Sequence, residues 1–266
     1  MPTLKCTSPI EFLRELHRIQ SVGFSGSWYF RGQADASWGL VPSLFRLKTI
    51  SDEPWFEQNL LQILRQHLSK RSTLPERFIN DDDYLLALAQ HYGAPTRMLD
   101  WTLSPLTAAY FAATGSLRGK ADSLAVFAVA DITSVALHAR SSRIVYSPSG
   151  GNSNITAQSG ILIKHDWSCR DYWQASYEYV VQQGFRVDSL VDSRFIRFDL
   201  PASQAGPLLD EVWRRGVDGV TLYPGMHGFV AAATDFAWGV SAERRETAYD
   251  PAVEALEELG GTTERR

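Results

Sequence analysis

QHYGAPTRMLDWTLSPLTAAYFAA, residues 90–113, changes character three times in a short length of chain. Gly93, Ala94 and Pro95 form a breaker. Met98 to Thr102 then reads as an extended run. It puts Asp100 and Thr102 on one side and Leu99 and Trp101 on the other. Ser104 and Pro105 read as a helix start: serine supplies the N-cap oxygen, and proline sits where its missing N–H costs nothing. The helix that follows, Leu106 to Ala113, is small and apolar on all sides and must be buried. A strand, a polar turn and a buried helix together either hold a small ligand, because backbone N–H groups gather at such a turn, or make an ordinary junction of a core.

Composition sets the outer limits. The chain has 266 residues, 44% hydrophobic and 21% charged, which is ordinary for a globular protein. Eight Trp and thirteen Phe promise a well-filled core. A net charge of -4 gives no global field for nucleic acid. Cys6 and Cys169 lie far apart, so a disulfide scaffold is not the organising device and a reducing cytoplasm is the simplest setting. No apolar run approaches the roughly 20 residues needed to cross a bilayer, and Met1 to Lys5 do not resemble a signal peptide.

Outward from the central stretch, periodicity predicts a helix over Ile10 to Ser21 and a strand over Trp28 to Gln33. Arg31 in that strand has aromatic neighbours. It is either an edge arginine facing water or a fork of donors held for a phosphate or carboxylate. Gly32 beside it lets a ligand or another backbone approach. An irregular segment, 34–47, ends in a short helix. Glu53 to Ser69 reads as a long helix with Trp55, Phe56, Leu60, Ile63, Leu64 and Leu68 inward. Asp81, Asp82 and Asp83 cap the next helix, Tyr84 to Tyr92. Ser123 to Val129 is a strand buried on both faces. Residues 140–157 read as a loop leading into a strand that ends at Lys164, with Gln158 and Gly160 before or inside it. Trp167 to Val181 is helical in part. A strand over Phe195 to Leu200, a helix over Pro207 to Gly216 and a last strand over Val220 to Tyr223 follow. A turn at Pro224 to Gly228 and a helix over Phe229 to Ala237 close the fold. An amphipathic stretch, Pro251 to Leu259, and a disordered end, Gly260 to Arg266, make the tail.

Four stretches together resemble the FRG domain family. They are Tyr29-Phe30-Arg31-Gly32-Gln33, the run from Gln90 to Ala112, Gln158-x-Gly160, and Leu222-Tyr223-Pro224 with Gly228. The match runs in order over residues 8 to 237. The family occurs in bacterial and phage proteins, and the resemblance implies a toxin or antiphage-defence setting. The order of the pieces is also similar to that of the arginine–serine–glutamate ADP-ribosyltransferases. That likeness implies an α+β fold with an ADP-ribosyltransferase-like split mixed β-sheet core. Residues 1–240 would form this domain with its N-terminal helix, and 241–266 a helical or disordered tail.

The same likeness implies NAD as substrate and a macromolecular target, protein or nucleic acid, with a toxin-neutralising or defence-system partner and no membrane. Arg31 would grip the phosphate, and Thr102 with Ser104 would be the hydroxyl motif. Gln158 to Ile163 would be the Gln-x-Glu element, with Gly160 where the glutamate belongs. Transfer chemistry needs a carboxylate near the reacting ribose and a fixed cation at the pyrophosphate. Asp100, Glu178 and Asp235 compete for the first role. Asp100 is the choice, desolvated by Trp101; pairing with Arg97 or Arg31 is the structural alternative. The catalytic set is Arg31, Asp100, Thr102 and Gln158. The NAD-binding set is Arg31, Gly32, Gln33, His91, Arg97, Trp101 and Ser104, with no metal. His91 reads more readily as a satisfied structural histidine than as a base, and His227 is a further candidate. A nucleotide-sensing or partner-binding module without turnover is the alternative function.

Overall fold

The computed structural model describes residues 3–21, 27–130, 142–145, 157–172, 174 and 195–248. Seven strands form one mixed, mostly antiparallel sheet in the order β1-β7-β4-β2-β3-β6-β5. They are β1 (Thr3–Lys5), β2 (Trp28–Gln33), β3 (Met98–Thr102), β4 (Ser123–Ala130), β5 (Ser142–Val145), β6 (Gly160–His165) and β7 (Phe195–Pro201). Only β1 and β7 pair in parallel among the described residues. Nine α-helices are described: α1 (Pro9–Ser21), α2 (Ser43–Arg46), α3 (Glu53–Arg71), α4 (Glu76–Ile79), α5 (Asp82–His91), α6 (Pro105–Leu117), α7 (Ala205–Arg214), α8 (Gly219–Leu222) and α9 (Met226–Ala248). The fold is therefore mixed α/β.

Strand alternation divides the core. On β4, Leu124, Val126, Ala128 and Ala130 face one cluster with α1, α6 and α7, which also takes Cys6. Ala125, Phe127 and Val129 face the other, with Leu40, Cys169, Tyr172 and Phe195. The expectation of a strand buried on both faces is met, because β4 lies inside the sheet with helices on one side and irregular chain on the other. A third cluster lies where α3 and α5 pack on Met98, Val145 and Leu162.

The sheet narrows to a neck at the β2–β3 pairing. β2 and β4 pair over six positions and β3 and β6 over five. β2 and β3 meet only at Phe30 and Thr102. Two blocks of sheet are thus joined through one residue pair. Gly32 sets how closely α6 lies on the first block. A Cβ there would fall 2.0 Å from the Ala108 carbonyl oxygen and 2.8 Å from the Ala112 nitrogen. The close approach that the glycine permits is to another backbone.

Local chemistry explains most boundaries. The Ser104 Oγ accepts from the Thr107 N–H at 3.1 Å, with Pro105 opening α6. Asp81 caps α5, while Asp82 pairs with Arg65 and Asp83 with Arg143 and Lys164. Gly93 takes a φ of 84° at the break after α5.

Four expectations need correction. Val220 to Tyr223 is not a strand but the helix α8 and the residue that ends it. Asp218 accepts from the Thr221 N–H at 2.7 Å, and Thr221 accepts from the Asp218 N–H at 2.9 Å. This reciprocal cap outweighs the β-branched Val220-Thr221 pair. In α3 the buried side chains are Glu57 and Leu61, while Trp55 and Ile63 are more than half exposed. The loop expected over 140–157 contains β5, paired with β6; positions 146–156 lie outside the described residues. So do Glu178, most of the stretch from Trp167 to Val181, and the tail from 249 on. Helix α9 begins inside the expected turn and runs past Ala237 to Ala248, into the tail expected over 241–266. No helix among the described residues is long and apolar enough to cross a membrane.

Candidate functional site

A cavity of about 540 Å³ opens on the sheet beside the neck. Phe30 and Thr102 are paired, so their side chains share a face with Asp100, Gly160 and Leu162 two steps along. On that face α6 covers one block and α5 the other, and the cleft is the strip between them. Phe111 of α6 lines one wall, with Tyr223 and His227 behind it, and His91 and Tyr92 at the end of α5 line the other.

Arg31 reaches the cleft through the gap in the ladder. Its Nη1 donates to the Asp100 carbonyl at 2.7 Å and lies 3.9 Å from the Asp100 carboxylate. The guanidinium thus occupies space where β2–β3 hydrogen bonds would run if the strands stayed together. Burial lowers its pKa, the Asp100 carboxylate acts the other way, and arginine remains charged. Its Nε is buried without a partner among the described residues. The Asp100 side chain is 68% exposed, so the desolvation by Trp101 expected from sequence is not found. The Trp101 ring is instead buried on the opposite face against Tyr172.

Thr102 and Gln158 line the cleft with their polar groups engaged. The Thr102 hydroxyl donates to the Gln158 carbonyl at 2.6 Å and accepts from the Ser104 N–H at 3.0 Å. The Gln158 amide donates to the Leu222 carbonyl at 3.2 Å, tying the entry of β6 to α8. Ser159, at φ 49°, makes the bend into β6. Gly160 stands directly opposite Thr102, which places it beside the cleft.

Of the residues named from sequence, Arg31, Gly32, His91, Asp100, Trp101, Thr102 and Gln158 come together here. Gln33, Arg97 and Ser104 do not line the cavity. Gln33 is buried and donates to the Gly39 carbonyl. Ser104 is spent on its cap. Arg97 grips Glu57 of α3 at 2.9 and 3.1 Å, donates to the His165 carbonyl, and lies over the Trp167 ring. Asp235 is also removed from the competition: it is buried under α9, held by the Tyr110 hydroxyl and by Arg118 at 2.7 Å. His91 is exposed rather than a satisfied core histidine.

Sequence reasoning did not assign Tyr92, Phe111 or Tyr223. Phe111 was counted in a helix buried on every side, yet it is only partly buried and meets Tyr223 edge-on at 6.4 Å. Tyr223 stacks on His227 at 4.6 Å, and burial raises its pKa. The signal was present: these are large rings set among small residues in the same motifs. Gly228 allows the α8–α9 turn that carries Tyr223 and His227, since a Cβ there would lie 2.0 Å from the Tyr223 carbonyl oxygen.

Chemically, the described residues of the cleft offer one fixed cation, one solvent-reachable carboxylate and a rim of rings. No curated protein and no solved structure matches the chain. Residues 26–120, which hold β2, the neck, Asp100 and α6, match the FRG domain model, and the chain carries an FRG domain over that stretch.

Proposed function

We propose that this cleft binds NAD and that the protein is an ADP-ribosyltransferase-like enzyme. The observation that carries the reading is the convergence of Arg31 and Asp100 on one aromatic-rimmed cavity at the neck of the sheet. Its volume falls within the range of small-molecule sites. The guanidinium, 3.9 Å from the Asp100 carboxylate, supplies the cation that a pyrophosphate requires. The rings of Tyr92, Phe111 and Tyr223 supply faces for a planar base.

In this reading the C1′–N bond to nicotinamide breaks and its electron pair leaves with the nicotinamide. The Asp100 carboxylate stabilises the positive ribose that develops. The nucleophile of a protein or nucleic-acid target bonds to C1′ and gives its proton to Asp100. Thr102 and Gln158 hold the entry of β6 in place rather than meeting the substrate. A toxin or antiphage-defence role is the setting the family likeness suggests.

Gly160 favours a second reading, a nucleotide-binding module without turnover, because it leaves no carboxylate opposite Thr102. Two measurements on the purified chain separate them. Calorimetry with NAD reads binding, and release of labelled nicotinamide in the presence of cell extract reads turnover. Arg31→Ala is expected to weaken binding by roughly tenfold to a hundredfold, the loss of a charge-assisted contact. Asp100→Asn is expected to abolish release while binding persists. Binding without release in the wild type supports the second reading. A folded wild type that binds no NAD removes both.

A further inference from the structure

We propose that α9 is the dimerisation helix of this protein and that its outer face pairs with the same face of a second copy. The helix is built to be covered on two sides. Its inner side carries the buried Gly228 and Asp235, with Asp235 tied to Tyr110 and Arg118. At about 100° per residue, Met226, Phe229, Val230, Ala233 and Ala237 form a stripe facing away from Asp235. Met226, Phe229 and Val230 are 75%, 59% and 61% exposed. From Met226 to Gly239 the ionisable side chains are His227 at the cleft and the inward Asp235. A surface helix ordinarily turns charges outward, and one that is apolar all round is a buried helix.

The stripe fits itself. A groove of about 580 Å³ runs along it, lined by Phe229, Val230, Ala233, Thr234, Ala237 and Trp238. Ala233 is the low point. Phe229 and Val230 rise one turn before it, and Phe236, Ala237 and Trp238 follow one turn after. Two copies crossing antiparallel at Ala233 would set the Phe229 ring of each beside Ala237 of the other, a knob entering a hole. From Met226 to Gly239 the stripe carries no charge for a charged partner to answer, and none to repel its own copy. Complete cover of the exposed part of these side chains on both copies would bury on the order of 1,200 Å², which reaches the lower end for a specific interface. His227 on the first turn of α9 lines the cleft, so pairing would also brace one wall of each site.

Light scattering coupled to gel filtration tests this over roughly 1–100 µM, the range that spans a weak dimer. The expected mass rises to twice the 29.8 kDa chain. Ala233→Glu, at an exposed position, is expected to give the single-chain mass with an unchanged circular dichroism spectrum. Ala233→Cys is expected to cross-link to a covalent dimer on mild oxidation, because the crossing point brings the residue to its own counterpart. A wild type that stays monomeric at the top of the range overturns the proposal; cover by another segment of the same chain would give that result. A dimer that survives Ala233→Glu and fails to cross-link through Ala233→Cys overturns it equally.

Discussion

His165 is fully buried on the sheet face that carries Trp101, and burial pushes its pKa down to about 3, with the charge of Arg31 acting in the same direction. The unfolded chain takes up this proton near the ordinary value of 6.5, and the folded chain does not. Between those values the unfolded state holds more protons, so stability rises with pH. The contribution is complete above 6.5 and is lost as pH falls toward 3. Urea unfolding between about pH 7 and pH 4 should therefore show a slope of up to about 1.4 kcal/mol per pH unit that is missing from His165→Leu. Equal slopes in the two proteins would show that His165 does not set this dependence. The comparison of arginines belongs to the same scale. Arg31 and Arg97 both stand in signature motifs, and sequence reading assigned both to the ligand. What separates them is Glu57, forty positions from Arg97, and no local pattern announces that pairing.

Among the elements, those with a complete local signal were legible. The cap at Ser104, Pro105 behind it and the run of small residues fixed α6 correctly. Ser104→Ala should cost about 1 kcal/mol, since it leaves the Thr107 N–H without its acceptor. Thermal unfolding reads this directly, and a melting midpoint equal to that of the wild type would mean that another group takes over the cap. α8 was misread because two β-branched residues outweighed a reciprocal cap whose partners are three residues apart. In α3, hydrophobicity alone put Trp55 inward. The helix is instead docked partly through the ion pair of Glu57, so its buried stripe follows a carboxylate. The cleft was legible as far as the motifs carried it. Its aromatic wall was not, because it depends on how the α8–α9 turn comes back across α6.

For the whole molecule the governing feature is the neck. β1, β7, β4 and β2 form one block and β3, β6 and β5 another, joined in the sheet by one residue pair. Across the gap the Arg31 side chain, donating to the Asp100 carbonyl, stands in for part of the missing ladder. Native-state hydrogen exchange should therefore divide the strands into two classes. The β3–β6 amides are expected to open at lower free energy than the β2–β4–β7 amides. A single opening energy across all of them would show that the two blocks open together. Sequence alone placed each of β2, β3 and β6 in extended chain, but it held no sign of which strands would meet along their length and which would touch once. The two thiols acquire a use from this layout. Cys6 lies in the core above the sheet and Cys169 in the core below it, both nearly sealed, with the Cys6 pKa pushed up to about 12. Each is a built-in reporter for its own side. The order in which the two react with a sulfhydryl reagent during denaturation tells which layer lets solvent in first.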